Sequence, residues 1–422
     1  FRAGVNAGNS IASGGNYNTV VGDEAGTSIT TGDSNTLVGM NAGDALTTAQ
    51  YNVAIGHDAL TTSILGSRNI AIGANALYAT NPASAVDMYN IGIGHNTGSA
   101  ITTGIQNTLI GGLAGDALTT STSNTAVGYE ALSTATTYSE NSAIGYRALK
   151  VNTTGYSNTA VGHEAMLANT TGISNVAVGH DAMLAATTSP SNTVIGHTSG
   201  ANITTGTGEN VIVGNRAGFG VTTGAQNVII GDNACANGTM TGGLNVVIGD
   251  NAGLSMTTGA SNVAVGAAAL DANTTGANNV AIGWNSMTTN TTASENTAVG
   301  QSSLGLNTTG ASNTAIGKSA LGANTTGTLN TAVGHGAMSS VTTASQNTAV
   351  GRGALDAVTT TGQHTAMGDN ALGACTTGIN NTAFGAQAGS AITEGQENVA
   401  VGAYALDAVT TASYSTAVGT SS

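Results

Sequence analysis

Apolar and polar residues alternate in a fixed pattern along the whole chain. The phrase Asn-Thr-Ala-Val-Gly, with close variants, occurs 24 times, and its glycine recurs at every seventeenth position from Gly22 to Gly419. Only three intervals differ: the one before Gly94 is longer by four, and those before Gly214 and Gly249 are longer by one. A fixed short period indicates one supersecondary unit that is stacked on copies of itself.

We number the positions of one repeat as slots 1 to 17, with residues 158–174 (NTAVGHEAMLANTTGIS) as the example. Slots 2 to 4 hold β-branched or small side chains, which predicts a short strand. Slots 2 and 4 share one face of this strand, and slot 3 points to the other. Slot 3 is also apolar, as at Ala160, and a strand that is apolar on both faces is buried on both. We therefore expect one face to fill the coil and the other to contact a second chain, with the small side chains of slot 3 allowing close approach.

Turn-forming residue types predict two turns in each repeat. Slot 5 is glycine in all 24 copies, and slots 15 to 17 are polar and often begin with glycine. Slot 1 is Asn in 22 copies, with His364 and Ser415 as exceptions. The long interval before Gly94 predicts an external loop near residues 79–89.

Slots 1, 4, 5 and 8 are the structural positions of the repeat. In the example they are Asn158, Val161, Gly162 and Ala165. With Val161 buried, the substitution Val161→Asp is expected to cost several kcal/mol, because it buries an unpaired charge.

Slots 9 and 12 vary together. Where slot 9 is glycine, as at Gly26, slot 12 is large, as at Ile29. Where slot 9 is Leu or Met, as at Met166, slot 12 is usually smaller, as at Asn169. Because protein interiors are close-packed, this pattern predicts that both side chains point into one shared volume.

The repeat predicts an all-β fold, a parallel β-solenoid of about 24 coils with two short strands and two turns in each coil. At a ladder rise of roughly 4.8 Å, the coils make a rod about 115 Å long. We expect a single continuous repeat shaft over residues 1–422, with its ends truncated. So thin a rod buries little apolar surface, which predicts a homotrimer of intertwined or side-by-side chains.

Composition narrows the range of partners. The chain has 7 basic and 21 acidic residues and a net charge of −14, which argues against nucleic acid and anionic membranes. No apolar run has the length of a membrane span, so we expect no membrane insertion. Cys235 and Cys375 lie eight coils apart, or about 38 Å, whereas a disulfide requires Cα atoms within about 7 Å. We therefore expect two unpaired cysteines.

The sequence contains no set of residues that is typical of an enzyme. No nucleophile elbow, P-loop or zinc-protease motif is present, and the glycines follow the structural period. We expect neither catalysis nor a cofactor.

Histidine is the one chemically distinctive residue type that follows the period. Six of the seven histidines occupy slot 6, and His163, His180 and His197 do so in consecutive repeats. Acidic residues follow two of them, as at Glu164 and Asp181. Stacked or three-fold-related imidazoles can bind a metal. Slot 6 also holds Asp, Ala, Tyr, Trp, Lys and Arg, and this variety favours an exposed turn over a metal site.

Asn-x-Thr sequons recur at slot 12, where they are candidate glycosylation sites. The alternative is that these asparagines cap a turn or form an amide ladder. The slot 12 candidates are Asn152, Asn169, Asn273, Asn290, Asn307 and Asn324.

The phrase NTAVG with Ala at slot 8 resembles the head repeats of trimeric autotransporter adhesins, which form trimeric left-handed parallel β-rolls. The run NTAVGxxAL…NTTG, as in Asn158–Gly172 and Asn313–Gly327, is even more similar to the shaft repeats of phage tail fibres and of related surface proteins that end in a self-cleaving chaperone domain. The period is longer than in most adhesin heads, and we expect no coiled-coil stalk, membrane anchor or chaperone domain within residues 1–422.

This resemblance implies an extracellular fibre shaft, either a virion tail fibre or a cell-surface appendage, which projects a receptor-binding tip. Its expected partners are copies of itself and, through variable slots, host-surface glycans. Two alternatives remain. One is a surface adhesin with its own ligand, and the other is an ice-binding β-solenoid, suggested by the frequent Thr-Thr pair at slots 13 and 14.

Overall fold

A computed structural model describes the whole chain, which divides into two compact units, Phe1–Glu209 and Asn210–Ser422. Each unit is an all-β parallel β-solenoid whose coils follow the repeat of the sequence, as predicted. The first unit contributes twelve strands to its main ladder and the second thirteen, one strand for each coil. This makes 25 coils, one more than the phrase predicts, because the chain before Asn18 forms a coil that lacks the phrase.

The strands are short and follow the repeat. In the first unit, β1 to β14 are Arg2–Ala3, Thr19–Val21, Thr36–Val38, Val53–Ile55, Gly66–Ser67, Ile70–Ile72, Val86–Asp87, Ile91–Ile93, Thr108–Ile110, Thr125–Val127, Ser142–Ile144, Thr159–Val161, Val176–Val178 and Thr193–Ile195. In the second unit, β15 to β27 are Val211–Val213, Val228–Ile230, Val246–Ile248, Val263–Val265, Val280–Ile282, Thr297–Val299, Thr314–Ile316, Thr331–Val333, Thr348–Val350, Thr365–Met367, Thr382–Phe384, Val399–Val401 and Thr416–Val418.

Within each unit, each main strand after β1 covers slots 2 to 4, and neighbouring main strands pair in parallel at the same slots. In β12 and β13, for example, Ala160 lies opposite Ala177 and Val161 opposite Val178. The side chain of slot 3 is buried in every repeat that carries the phrase except the last, whereas slots 2 and 4 are half-buried or exposed. Slot 3 therefore fills the coil, and slots 2 and 4 form its outer strand face.

The expectation of close approach by a second chain at slot 3 is therefore wrong. Ala160 has no exposed surface, because it points into a coil too narrow to accept larger side chains at most levels. The apolar face that remains open is the one formed by slots 2 and 4, where Val161 is half-buried. The expected loss of several kcal/mol for Val161→Asp therefore does not hold for the single chain. The charge would contact solvent there and would not be buried in the interior of the coil.

The asparagines of slot 1 form a buried ladder along the inside of the coils. The side-chain Oδ1 of Asn158 accepts hydrogen bonds from both the backbone N (3.0 Å) and Nδ2 (3.2 Å) of Asn175. Asn158 Nδ2 in turn donates to Asn141 Oδ1 at 3.3 Å and to the Gly172 carbonyl at 2.9 Å. One side chain thus links three neighbouring coils and closes its own coil, with all its hydrogen-bonding capacity used.

Glycine is required at slot 5 for two physical reasons. Gly162 has φ = 140°, a conformation that residues with a side chain rarely adopt. A Cβ at this position would also collide with the backbone of Gly179 in the next coil, lying 2.6 Å from its carbonyl carbon. The backbones at slot 5 therefore stack too closely for any side chain.

The second strand expected in each coil is absent from most coils, since only Gly66–Ser67 and Val86–Asp87 form strands outside the main ladder. In the coil before the example repeat, the backbone N–H groups of Thr153, Thr154 and Gly155 all donate to the Thr170 carbonyl, at 3.0, 2.9 and 3.1 Å. Three donors can converge on one acceptor only where the chain bends sharply. Slots 13 to 15 are therefore a bend that is tied to the next coil.

Slots 9 and 12 share one volume, as their complementary sizes predict. A Cβ at Gly26 would lie 2.9 Å from Cδ1 of Ile29, and one at Gly43 would lie 2.8 Å from Cδ1 of Leu46. The large side chain at slot 12 thus occupies the space that Leu or Met fills from slot 9 in other coils.

Three positions in each coil adopt left-handed backbone conformations, and most of them are not glycine. In the example repeat they are Glu164, Met166 and Ser174, with φ of 52°, 53° and 57°. Such residues cost about 1–2 kcal/mol each relative to the right-handed form. They recur at slots 7, 9 and 17 because the ladder hydrogen bonds on either side fix the turns.

The long repeat before Gly94 carries an exposed excursion, close to the loop that was expected at residues 79–89. Residues 83–87 are exposed, and the chain returns to the interior at Met88. Within the excursion, Val86–Asp87 pairs in parallel with Gly66–Ser67, and Arg68 Nε contacts Asp87 Oδ2 at 2.9 Å. The inserted segment is therefore anchored to the preceding coil.

We predict that Gly162→Ala lowers the free energy of unfolding by about 3 kcal/mol or more, because it combines an unfavourable φ with a backbone collision. Urea unfolding followed by circular dichroism measures this loss. Gly336→Ala is the matched control, since Gly336 has φ = 67° and no atom within 4 Å of a Cβ. The control substitution should lower the free energy of unfolding by only about 1 kcal/mol. Equal losses in the two variants would contradict the close stacking at slot 5.

Candidate functional surfaces

Surface depressions in the two units are open grooves along the turns. One has a volume of about 460 Å³ and is lined by Asn285, Thr288, Ser302 and Leu306, among others. Another, of about 410 Å³, is lined by Asp58, Asn75 and Tyr78, among others. Both grooves run along slots 7 and 10 of successive coils. The first groove is lined mainly by apolar surface, including Leu306, whereas the second is lined largely by polar groups, which suits shallow contact with a polar ligand.

The slot 6 column is the most ordered side-chain feature of the surface. Five rings stack along consecutive coils of the first unit, with centroids 5.8, 5.1, 4.7 and 5.2 Å apart. They stack because in-register coils place identical slots above one another at the ladder spacing. The column consists of Tyr129, Tyr146, His163, His180 and His197.

Two of the three candidate metal ligands share one acidic residue. His180 Nδ1 lies 3.2 Å from Asp181 Oδ2, and His163 Nδ1 lies 3.8 Å from Asp181 Oδ1. The ligand atoms of these three residues all lie within 4.8 Å of one another. The third candidate, His197, stacks on His180, but its Nδ1 faces Thr198 Oγ1 at 3.4 Å. The structure therefore places His197 beside the group and outside it.

The carboxylates in the preceding coils are neutralised by basic residues. Arg147 contacts Glu164 Oε1 at 2.6 Å and Glu130 Oε2 at 3.5 Å, and Lys150 also pairs with Glu130. Asp181 contacts histidines but no Lys or Arg, and its Oδ1 is inaccessible to solvent and has no hydrogen-bond partner. Asp181 thus lacks a permanent cation, as does Asp58 at the same slot of an earlier coil.

A second histidine environment lies inside the second unit, where His364 replaces the slot 1 asparagine. Its Nδ1 accepts a hydrogen bond from the Asn381 backbone at 3.3 Å, and its Nε2 lies 4.0 Å from Cys375 Sγ. Burial lowers the pKa of His364 to about 4 and raises the pKa of Cys375 to about 11. The pair is therefore neutral at pH 7 and is not an activated nucleophile.

Both cysteines are free and buried, as the sequence predicts. Burial raises the pKa of Cys235 to about 12, so this thiol is also unreactive in the folded chain.

We predict that His364 makes the protein sensitive to acid. Its folded-state pKa of about 4 lies below the ordinary value of 6.5, so the unfolded chain binds the extra proton more readily. Stability is therefore complete above pH 6.5 and falls as the pH drops towards 4. At pH 4.5 the free energy of unfolding should be about 2.5 kcal/mol lower than at neutral pH because of His364. The substitution His364→Asn should remove this loss. Urea unfolding of parent and variant at pH 7.5 and 4.5 measures the difference. An identical acid loss in both chains would contradict this role.

The slot 12 asparagines do not present their side chains for glycosylation. Asn152, Asn169, Asn273, Asn290, Asn307 and Asn324 have no exposed surface. They form a second amide ladder, in which Asn290 Nδ2 donates to Asn273 Oδ1 at 2.9 Å and Asn307 Nδ2 donates to Asn290 Oδ1 at 3.0 Å. Each Nδ2 also donates to the slot 15 carbonyl of its own coil, such as Ala293 at 3.1 Å. Candidate glycosylation at these positions is therefore corrected to a structural role, because the acceptor nitrogen points inward.

We predict that Asn290→Ala lowers the free energy of unfolding by about 2–3 kcal/mol, since it leaves buried amide and carbonyl groups of neighbouring coils without partners. The matched control is Thr292→Ala at slot 14 of the same bend, which lies outside the amide ladder. The control substitution should change the free energy of unfolding by less than about 0.5 kcal/mol. Thermal and urea unfolding measure both variants, and an Asn290→Ala protein as stable as the control would exclude the amide ladder.

The structural residues of the example repeat lie in different environments. Asn158 and Ala165 are fully buried, and Gly162 is in the closely stacked turn. Val161, by contrast, belongs to the outer strand face, whose slots 2 and 4 carry no charged side chain in any repeat of either unit. The more exposed side chains of this face include Ile55, Ile144, Ile195, Ile282, Ile316 and Phe384.

The two threonine positions also differ. At slot 13 the hydroxyl donates to the carbonyl of the next coil, as from Thr170 Oγ1 to Thr187 at 3.0 Å. At slot 14 the threonines are mostly exposed, as at Thr171. Only slot 14 therefore offers a regular row of threonines to solvent.

No model of a known protein family matches the chain, and no match is found among curated proteins. The structure contains no helix that is long and apolar enough to cross a membrane.

Proposed function

We propose that the chain is a structural fibre shaft, which projects a receptor-binding tip from a virion or cell surface and associates side by side as a homotrimer. The internal ladders support a mechanical role. Within each unit, coils are tied to their neighbours by backbone bonds, by the slot 1 amides and by slot 13 hydroxyls. A structure with the same bonds repeated at every level resists bending and extension along the ladder.

The observation that carries this proposal is the outer strand face. About twelve short strands at the ladder spacing present a surface of roughly 600 Å² in each unit. This is the size of the larger surface patches on a typical monomer, about 300–600 Å², and its side chains are mostly Val or Ile at slot 4 and Thr, Val or Ile at slot 2. Such a surface, β-branched and without charge, is typical of an interaction site.

A second copy of the chain is the partner that fits this face best. The valine and isoleucine side chains of slot 4 recur once in each coil, and an identical chain carries them at the same interval. Three such faces can therefore pack around a common axis, with each face contacting the next, as closed three-fold association requires. Each strand already pairs with the strands of the coils before and after it, as β12 does, so contact between chains is made by side chains alone.

Extracellular placement and attachment to host-surface glycans belong to the same proposal. The support is the polar character of open grooves at slots 7 and 10, such as the one that is lined by Asp58, Asn75 and Asn96. Glycan binding in these grooves would make the chain an adhesin with its own ligand, and a glycan array tests for it.

A specific observation also favours ice binding as a second candidate. The exposed threonines of slot 14 form a regular row, and threonine is also frequent at slot 2 of the outer strand face. Thermal hysteresis in solutions of the purified chain would support this function, and its absence would exclude it.

We predict a native mass of about 122.4 kDa by sedimentation equilibrium, which is three chains of 40.8 kDa. The physical reason is burial of the uncharged outer strand face between copies. A stable monomer of 40.8 kDa would overturn the trimer.

A charged variant tests whether the outer strand face is the interface between the chains of the trimer. Ile144→Lys, Val161→Glu and Val178→Lys together place alternating charges on three adjacent strands, and we expect a folded monomer. The control carries Thr154→Lys, Thr171→Glu and Thr188→Lys at slot 14 of the same coils, and it should remain trimeric. A trimer that survives the slot 4 changes would assign the interface to another face.

A further inference from the structure

We propose that His163, His180 and Asp181 form a binding site for a divalent transition metal of the zinc type. The site lies on the turn edge of the first unit, at slots 6 and 7. It is independent of the proposed shaft function, because it uses neither the outer strand face nor a second chain.

The donor atoms are already close to the arrangement that a metal requires. Zinc bonds of about 2.0–2.1 Å in a tetrahedral site place neighbouring donor atoms roughly 3.3 Å apart. His180 Nδ1 and Asp181 Oδ2 are 3.2 Å apart, and His163 Nδ1 and Asp181 Oδ1 are 3.8 Å apart. Both imidazoles are about half exposed, at 47% and 50%, so their rings are free to turn towards a shared ion.

The carboxylate supplies the electrostatic reason for a cation. Asp181 Oδ1 is shielded from solvent and has no hydrogen-bond partner, which is unfavourable for a charged oxygen. The nearby Glu164 is paired with Arg147 and is therefore no competitor for the ion. A metal between the two imidazoles and Asp181 would compensate this oxygen directly.

The backbone holds the three ligands in position. His163 and His180 each follow the closely stacked slot 5 glycine of their coil, and the backbone N of Asp181 donates to the His163 carbonyl at 2.9 Å. Only side-chain torsions must therefore adjust when an ion binds. Preorganised ligands of this kind favour tight binding.

The ligand types select the class of metal. Two imidazoles and one carboxylate suit zinc, nickel or copper, whereas magnesium and calcium prefer oxygen ligands alone. Three protein ligands also leave a coordination position open to water or to a group from a partner.

The chain contains a natural control for this site. His57 Nδ1 lies 3.2 Å from Asp58 Oδ2, with 50% and 21% of the side chains exposed, so this pair closely matches His180 and Asp181. Its neighbours at slot 6 are Met40 and Ala74, which cannot act as a second imidazole ligand. The two pairs differ in the presence of His163 and in one hydrogen bond, since Asp58 Oδ1 accepts from Asn41 Nδ2 at 2.9 Å whereas Asp181 Oδ1 has no partner.

The experiment is a calorimetric titration of ZnCl₂ into the whole, tag-free chain in a non-coordinating buffer. We expect one zinc ion per chain, and at least a tenfold loss of affinity in His163→Gln, His180→Gln and Asp181→Asn. His57→Gln should bind as the parent does. Circular dichroism checks that each variant is folded, and Gln and Asn occur at the same slots elsewhere, as at Gln301 and Asn75.

Three results would overturn the proposal. They are no zinc binding by the parent, unchanged affinity in His163→Gln, and an equal loss in His57→Gln. Because the native mass is measured separately, a monomer that binds zinc would refute the trimer and leave the metal site standing.

Discussion

The buried amide ladder of slot 1 is the interaction on which the other features of the repeat depend. So short a coil encloses a narrow interior, and the slot 15 carbonyl points into it. An asparagine side chain can donate to this carbonyl and bond the coils before and after it, as Asn158 does with Gly172, Asn141 and Asn175. Few other side chains combine two donors and a double acceptor at this length. The ladder therefore sets both the closure of each coil and its register on the next.

Register in turn determines which residues meet on the surface. Because the same slot lies above itself in successive coils, residues one repeat apart in sequence become neighbours in space. Slot 6 becomes a column of stacked rings, and Glu130, Arg147 and Glu164 of slot 7 become a chain of ion pairs. Surface chemistry in this fold is therefore arranged in rows, and a candidate site arises wherever neighbouring repeats carry suitable side chains at the same slots.

The narrow interior of the coil also gives the two faces of the strand different environments. Slot 3 is sufficient to fill the interior at each level, together with slots 8, 9 and 12, so slots 2 and 4 have no place inside the coil. The chain consequently keeps a β-branched surface that it cannot bury by itself. This outer face is the surface used in the association that we propose, since successive strand residues point to opposite faces and slots 2 and 4 lie opposite slot 3.

The sequence by itself determined the β-solenoid, the strand at slots 2 to 4, the glycine turn and the shared volume of slots 9 and 12, because each is a regular pattern of side-chain size or backbone freedom. It did not determine which strand face lies inside, since slots 2, 3 and 4 are all compatible with burial. Nor did it reveal that the sequons point inward, that slots 13 to 15 form a bend, or that slots 7, 9 and 17 are left-handed. Those features result from closing the coil, as does the position of Asp181 between His163 and His180. Only the tertiary structure decides them, because they depend on the direction of side chains in a closed turn, which no single repeat specifies.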